Sequence, residues 1–591
     1  MSRLLAALDN HTKKQFGENA HVEYGWSNNI KERILQFSFQ LVRCDNEGTQ
    51  KLQHKLHDIL FTLTEKKMDN ETKQLLSILY KMIGHTRDII DGKGECTLTY
   101  MMIYTWYKFN PTLALYAVKC LIQEHTNINE NEDDQQEKQE TKFNTHPYGC
   151  WKDIKYFCEY CSLKGLSLEH PLIKYAIQLS NDQLKADYEK LENNNTNISL
   201  VAKWIPREKS HFSWLYEAFA INYFSHYLLT TNGNPEKRFK AMLKCKTEYR
   251  KLLSKLNKHL DTLQIKQCGK LWASIDFHNV TSVSLSKQKK AFLNTTKTGE
   301  VRFPDNEDRA ECAVHFKEHI QKAVKGEIEV KGKRLGMEQF TAQASELLSK
   351  NNFDQDEIDL LNLQWQNNSS QTKSLTNMIA MVDVSGSMEG DPMNVAVALG
   401  IRIAEKSALG KRVMTFSSTP KWVNLEPYND FVSQVQIVLK TDWGMNTNFN
   451  AALNMILDAI IENKMPAEDV QDMMLVILSD MQIDGGDNCD KDVLYQIMET
   501  KYAEAGVRSI GKPYKPPHIL FWNLRSTDGF PSLSYQPNVS MMSGFSPSLL
   551  NLFCEQGLNA LQSCTPWSIL EKSLENVRYK IMQDKIDEII V

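Results

Sequence analysis

The sequence predicts a multidomain chain: an α-helical repeat region over residues 1–370, then a doubly wound α/β domain over residues 374–591. Three observations predict it. Before residue 370 apolar positions recur at spacings of three and four, the mark of amphipathic helices packed on one another. After it, continuous apolar runs without alternation, Met378 to Val382 and Leu475 to Leu478, suit strands buried on both faces of a parallel sheet. Each of those strands leads directly into a carboxylate, Asp383 and Asp480. A chain of 591 residues exceeds what one core usually organises, and 42% hydrophobic residues is ordinary for packed globular domains.

In the helical region, Leu52, Leu56, Ile59, Leu60 and Leu63 form one helical stripe, and Leu75, Leu76, Leu79 and Met82 form the next. Gly84, Gly92, Gly94, Pro111, Pro147, Pro206 and Pro235 divide the region into helical pieces of ordinary length. A helical solenoid is the expected architecture. Residues 127–143 carry Glu130, Glu132, Asp133, Asp134, Glu137 and Glu140 among Asn and Gln, too acidic and apolar-poor to pack, and are expected as a mobile loop. Asn193 to Asn197 reads as a shorter loop. Residues 351–373, polar around Leu360, Leu361 and Trp365, read as the connector to the second domain.

Charge is concentrated in one place. From Lys237 to Lys270 eleven basic residues face only Glu248 and Asp261, although the whole chain has a formal net charge of −4. The cations Lys237, Arg238, Lys240, Lys244, Lys246, Arg250, Lys251, Lys255 and Lys258 interleave with Leu243, Leu252, Leu253, Leu256 and Leu260 at helical spacing. Such a helix can bury one face and present the other to phosphate. Lys287, Lys289 and Lys290 extend the basic neighbourhood. A solvated Lys-rich face without a partner is the alternative reading. Trp204, Phe212 and Trp214 could stack on bases or serve only to pack helices.

In the α/β region the triplet Asp383-Val-Ser385-Gly-Ser387 follows the first strand and precedes a helical stretch from Asn394 to Ser407. One carboxylate and two hydroxyls are hard oxygen donors, suited to Mg²⁺ or Mn²⁺ rather than zinc. Trp443-Gly-Met-Asn-Thr447-Asn448 and Ser479-Asp480 can add oxygens. All three segments lie where strands give way to loops, the place where open α/β sheets gather ligands. The alternative is that Ser385, Gly386 and Ser387 only form a turn capping the next helix.

Other chemistry lacks support. Asp383-Val-Ser385 lacks the second Asp of a phosphotransferase motif, no Gly-x-x-x-x-Gly-Lys loop precedes a helix, and no Ser or Cys sits in a nucleophile elbow. The loop Asp484-Gly-Gly-Asp487-Asn-Cys-Asp490 fails the EF-hand spacing. Cys158-x-x-Cys161 has no second pair, so the twelve cysteines read as reduced, buried thiols. No apolar run approaches a bilayer span, and the N-terminus turns polar too soon for a signal peptide. A non-enzymatic, monomeric cytoplasmic protein without membrane contact is expected.

The α/β segment resembles the von Willebrand factor A domain, and the resemblance implies a metal-ion-dependent adhesion site formed by Asp383, Ser385, Ser387, Thr447 and Asp480. Thr447 follows Met-Asn where that family usually has Gly-x. The phrases Arg87-Asp-Ile-Ile-Asp-Gly-Lys-Gly-Glu95, Tyr148-Gly-Cys-Trp-Lys-Asp153, Ala202-Lys-Trp-Ile-Pro-Arg207, Tyr249-Arg-Lys-Leu-Leu253 and Trp272-Ala-Ser-Ile-Asp-Phe277 widen it. In that order they resemble the Ro autoantigen, or TROVE, architecture, a HEAT-like helical ring joined to a von Willebrand A domain, and an uncharacterised branch of it in plants and giant viruses. The resemblance implies binding of structured or single-stranded RNA by the ring, and a protein partner offering an acidic ligand to the metal. Giant-virus kinship would extend the expected location to a virion or viral factory. The second expectation, of a different class, is a metal-dependent interaction scaffold, such as a viral structural or assembly protein, that binds no RNA.

Overall fold

The computed structural model describes residues 12–129, 141–229, 231, 233–350, 354–441, 444, 447–483, 493–554 and 561–590. The N-terminal region is rich in α-helix, and the C-terminal region holds a mixed six-stranded sheet. The two helical stripes read from the sequence are the helices Asn46–Thr64 and Asn70–Arg87, with Leu56, Ile59, Leu60, Leu63 and Leu79 fully buried. Pro111 and Pro235 each open a helix at its first turn, where the missing N–H is of no consequence. Gly84 does not break the chain. It lies inside the helix Asn70–Arg87 because the Tyr148 ring presses there: a Cβ would sit 2.9 Å from Tyr148 Cε2.

Two short hairpins interrupt the helices, β1 (Lys14–Phe16) with β2 (Val22–Tyr24) and β3 (His125–Asn129) with β4 (Thr141–Thr145). The second pair contains the two ends of the acidic segment expected as a mobile loop; the middle of that segment lies outside the described residues. The stretch read as a connector is instead the helix Gln355–Ser369. Trp365 stacks on Phe431 with ring centroids 3.9 Å apart, and its indole N–H donates to Glu405, so packing against the helices Phe431–Leu439 and Asp391–Lys406 orders a polar sequence.

The sheet comprises β5 (Met378–Asp383), β6 (Arg412–Phe416), β7 (Lys421–Asn424), β8 (Met474–Ser479), β9 (His518–Asn523) and β10 (Val539–Ser543), in the order β10-β9-β8-β5-β6-β7. All neighbours pair in parallel except β6 with β7. From β5 the chain goes first to β6 on one side and later to β8 on the other, so the order reverses between β5 and β8. Loops leaving two such strands diverge and open a crevice at their carboxyl ends.

Alternation divides the strands between two cores. Ile379, Met381, Leu475, Ile477, Ile519 and Phe521 belong to a core that runs on into the N-terminal helices and includes Phe37, Leu79 and Trp106. Ala380, Val382, Val476, Leu478, Leu520 and Trp522 face a second core with the helices Met337–Leu348, Asp391–Lys406 and Phe431–Leu439. A third, smaller core gathers Phe277, Leu285, Phe292, Phe316 and Ile320.

Buried polar bonds tie the two regions. Asp88 accepts two hydrogen bonds from Arg578, at 2.6 and 2.7 Å, while within the helical region Arg87 grips Asp153 through two bonds of 2.8 Å. Lys93 donates to the carbonyls of Ser38 and Leu41 and to Ser543 Oγ on β10, while Arg43 bridges Glu95 and Glu338. The phrase from Arg87 to Glu95 is therefore a junction between the helices and the sheet.

Candidate metal centre and basic face

The crevice at the reversal of strand order holds the residues singled out for a metal. Asp383 ends β5 and Asp480 follows β8, its parallel neighbour. Both carboxylates have no solvent exposure; Ser385 and Thr447 are also buried, and Ser387 is half-buried. Asp383 Oδ1 accepts the Ser385 N–H at 2.9 Å, and its Oδ2 accepts the Ser479 hydroxyl at 2.6 Å. The Ser385 and Ser387 hydroxyls lie 3.2 Å apart. The Thr447 segment is drawn to this end of the sheet by two contacts: Gly444 bridges Ser385, and the Asn448 N–H donates to the Ser417 carbonyl at 2.8 Å just beyond β6. Trp443, Met445 and Asn446 lie outside the described residues, as does the acidic loop from Asp484 to Asp490.

The two serines do not cap the following helix. That helix, Asp391–Lys406, begins after Gly390, whose φ of 96° suits glycine, and no side chain caps it. Ser385, Gly386 and Ser387 instead form the turn that carries the chain over the buried carboxylates.

Ionising Asp383 places a negative charge that meets no counterion among the described residues. Burial first, and then the charge of Asp480, push the Asp383 carboxyl up from the usual 3.8 to about 7, against hydrogen bonds from Ser385 and Ser479 that favour the ionised form. Among the described residues no Lys, Arg or His makes an ion pair with Asp383. Asp480 meets one cation: Arg525 Nη1 donates to its Oδ2 at 3.1 Å, and the Gln482 N–H donates to Oδ1. Buried carboxylates are ordinarily paired or bound to metal. Among the described residues no group of three or more His, Cys, Asp or Glu is placed to hold a metal; the two carboxylates and the hydroxyls are hard oxygen donors of the kind that suits Mg²⁺ or Mn²⁺. A cleft of about 960 Å³ opens beside the site, with Glu18, Arg43, Asp45, Lys51, Gln482 and Arg525 in its wall. Sequence reading missed Arg525, because it stands in no recognisable spacing and only the fold brings it to Asp480; the Gln482 N–H, two residues on, is a local turn contact.

The basic residues from Lys237 to Lys258 lie on the helix Pro235–His259, which starts with an Asn234 cap. At 100° per residue, Lys237, Lys240, Lys244, Lys251, Lys255 and Lys258 fall on one stripe, turned away from the buried Cys245, Tyr249, Leu252 and Leu256. Acids neutralise part of this charge, Glu248 from the same helix and Glu192, Glu208 and Glu217 from elsewhere in the fold. Lys246 pairs with Glu217 at 3.2 Å, Arg250 with Glu208 at 2.9 Å, Lys251 with Glu248 at 2.9 Å, and Lys255 with Glu192. Lys244 sits 4.0 Å from the centre of the Tyr227 ring. Among the described residues, the exposed Lys237, Arg238, Lys240, Lys258 and Lys287 make no ion pair. Lys287, Lys289 and Lys290 stand on a different helix, Ser282–Phe292, that belongs to the third core. Lys289 is buried and bound to Glu357 at 3.2 Å, so its charge is spent inside, while the half-buried Lys290 lies 3.6 Å from Glu346.

Cys158 and Cys161 are free and buried within the helix Lys152–Leu163, and burial pushes the Cys161 thiol up to about 12. No helix among the described residues is long and apolar enough to cross a membrane.

Two family models match the chain, both described as domains of unknown function: DUF2828 over residues 172–376 and DUF7788 over residues 377–587. They meet at the start of the first sheet strand. An uncharacterized protein of Acanthamoeba polyphaga mimivirus is 30% identical over 521 residues, which cover 86% of this chain and 80% of the viral protein. The chain belongs to the family of that mimivirus protein. The giant-virus relationship read from the sequence is thereby established.

Proposed function

We propose that the protein is a non-enzymatic RNA-binding protein of the Ro kind, in which a HEAT-like helical ring takes structured or single-stranded RNA and a von Willebrand A-like domain holds Mg²⁺ or Mn²⁺ for contact with a protein partner. The observation that carries the RNA reading is the lysine stripe on the helix Pro235–His259. From Lys237 to Lys258 it runs about 30 Å at 1.5 Å per residue, long enough to follow several phosphates. The pairs Lys251–Glu248 and Lys255–Glu192 are exposed. Exposed pairs are each worth about 0–1 kcal/mol, so a phosphate can displace the acid at little cost.

The test is RNA affinity as a function of salt, for the full chain and for Lys237→Glu/Lys240→Glu/Lys258→Glu, which breaks no ion pair. Loss of about three phosphate contacts should weaken binding at least tenfold and flatten the log–log salt slope by about 2. A folded protein that shows no RNA binding at physiological salt overturns the reading.

A second reading has its own observation. The buried Asp383 carboxyl, which no Lys, Arg or His pairs with among the described residues, supports a metal-dependent interaction scaffold, a viral structural or assembly protein without RNA. A bound divalent cation would supply a Lewis-acidic position for a partner's Asp or Glu carboxylate. Asp383, Ser385, Ser387, Thr447 and Asp480 would hold it, and the neutral turn from Ser385 to Ser387 leaves that side free of competing charge. Asp383→Asn should then abolish partner capture while leaving RNA affinity, if present, unchanged.

A further inference from the structure

A pocket of about 580 Å³ lies where the helix Pro235–His259 meets the segment from Ala202 to Tyr216. Its volume is that of a small-molecule site. Two features combine in it. Its walls are aromatic, with Trp204 and Phe212 half-buried at its edge. Its charge is positive: Lys155, Lys203, Arg207 and Arg250 line it, against a single acid, Glu208, which Arg250 already binds. Among the described residues Lys155, Lys203 and Arg207 make no ion pair.

The cations are held against the rings. Lys155 Nζ lies 5.2 Å from the centre of Trp204 and 5.5 Å from that of Phe212, and Lys203 Nζ lies 5.5 Å from Trp204. Burial depresses both ammonium groups, and at Lys155 the neighbouring Lys152 and Arg207 charges add to the effect. An anion would relieve that repulsion, and a flat ring would cover the same aromatic faces. Gln264, also in the lining, keeps its side-chain carbonyl oxygen buried and without a donor. The exocyclic amine of a base could satisfy it.

Position supports the same ligand. Arg250 and Ser254 line the pocket from the helix flank next to the lysine stripe, so a strand following Lys237 to Lys258 passes its mouth.

We propose that this pocket takes one unpaired nucleotide of a bound RNA strand, its phosphate among Lys155, Lys203 and Arg207 and its base against Trp204 and Phe212. This rests on the RNA reading above and gives it a defined nucleotide site.

The test uses the full chain and a short single-stranded RNA carrying 6-thioguanosine, which is photoreactive and keeps an exocyclic amine, with crosslinked residues identified by mass spectrometry. Affinity is measured for wild type, the pocket variant Lys203→Glu/Arg207→Glu and the conservative Trp204→Phe, with circular dichroism to confirm folding. A crosslink at Trp204, Phe212 or Gln264, a tenfold or greater loss in the pocket variant and near-normal binding by Trp204→Phe support the site. RNA binding that survives in the pocket variant, with crosslinks only along the stripe, overturns the pocket and leaves the RNA reading standing. Absence of RNA binding overturns both. In a parallel arm AMP replaces the oligonucleotide; saturable binding of AMP alone, without oligonucleotide binding, would assign the pocket to a free nucleotide and overturn the strand site.

Discussion

Replacing Asp383 by Asn should stabilise the protein in a chelator and remove its response to Mg²⁺. The carboxyl is fully buried and its pKa is raised from 3.8 to about 7. Three units at about 1.4 kcal/mol each place about 4 kcal/mol against the ionised form when no cation is bound. The sign follows from proton counting. Between about pH 4 and 7 the folded state keeps a proton that the unfolded chain has released, so this group's contribution falls as pH rises through that window and stays lowest above it. Asn keeps an acceptor for the Ser385 N–H and cannot ionise, so near pH 8 the cation-free variant should exceed wild type by about 1–3 kcal/mol, part of the gain being lost to its unmatched amide. A cation at a hundredfold excess over its Kd adds about 2.7 kcal/mol to wild type. With about 2.1 cal/mol/K of unfolding entropy per residue over 591 residues that unfold as one unit, Tm should rise by roughly 2 °C. Scanning calorimetry of both proteins, with chelator and with Mg²⁺ or Mn²⁺, reads all of these. A variant less stable than wild type in chelator, or equal cation responses in the two proteins, would refute the reasoning.

Three further outcomes are expected. Asp88→Asn leaves Arg578 buried without its partner and should cost about 3–5 kcal/mol; because helices and sheet share one core, urea denaturation should show one displaced transition, and two separate ones would contradict the junction. Lys93 is buried and its pKa is depressed from 10.5 to about 7, so between those values the unfolded chain binds a proton that the folded one lacks, and stability gains as pH rises; the difference in Tm between wild type and Lys93→Met should therefore move in favour of wild type from pH about 7 to 10, and a constant difference would rule this out. Lys289→Met leaves buried Glu357 facing Lys350 at 4.0 Å in place of its closer partner and should lower Tm without changing RNA affinity, whereas weakened RNA binding by a folded variant would return Lys289 to the binding face.

The strand ends were legible because their signals are local: an apolar run, then an acid, then two hydroxyls spaced for a turn. The helix starts at Pro111 and Pro235 were legible for the same reason. What could not be read depends on partners distant in sequence. Gly84 looked like a breaker because nothing nearby announces Tyr148. The polar stretch around Trp365 looked like a connector because Phe431, which stacks on it, comes from the helix Phe431–Leu439. The basic segment looked more strongly charged than it is, since Glu192 and Glu217 arrive from other helices and Glu208 from a turn. Arg525 reaches Asp480 only because β8 and β9 are neighbours.

The shared core also decides which perturbation can separate the two functional readings. Ile379 and Met381 on β5, whose end carries Asp383, pack in the same hydrophobic core as the N-terminal helices, and Lys93 and Arg578 bind the halves together through buried polar contacts. Asp383→Ala would remove the acceptors of Ser385 and Ser479 and leave a void at the sheet end, so its loss of both RNA and partner binding would report only damage to the common core. Asp383→Asn keeps the shape and removes the charge. If that variant melts no lower than wild type and still loses RNA affinity, the metal centre acts on the basic face through the junction from Arg87 to Glu95. If RNA affinity holds while a partner is lost, the crevice and the lysine stripe are independent sites on one rigid frame.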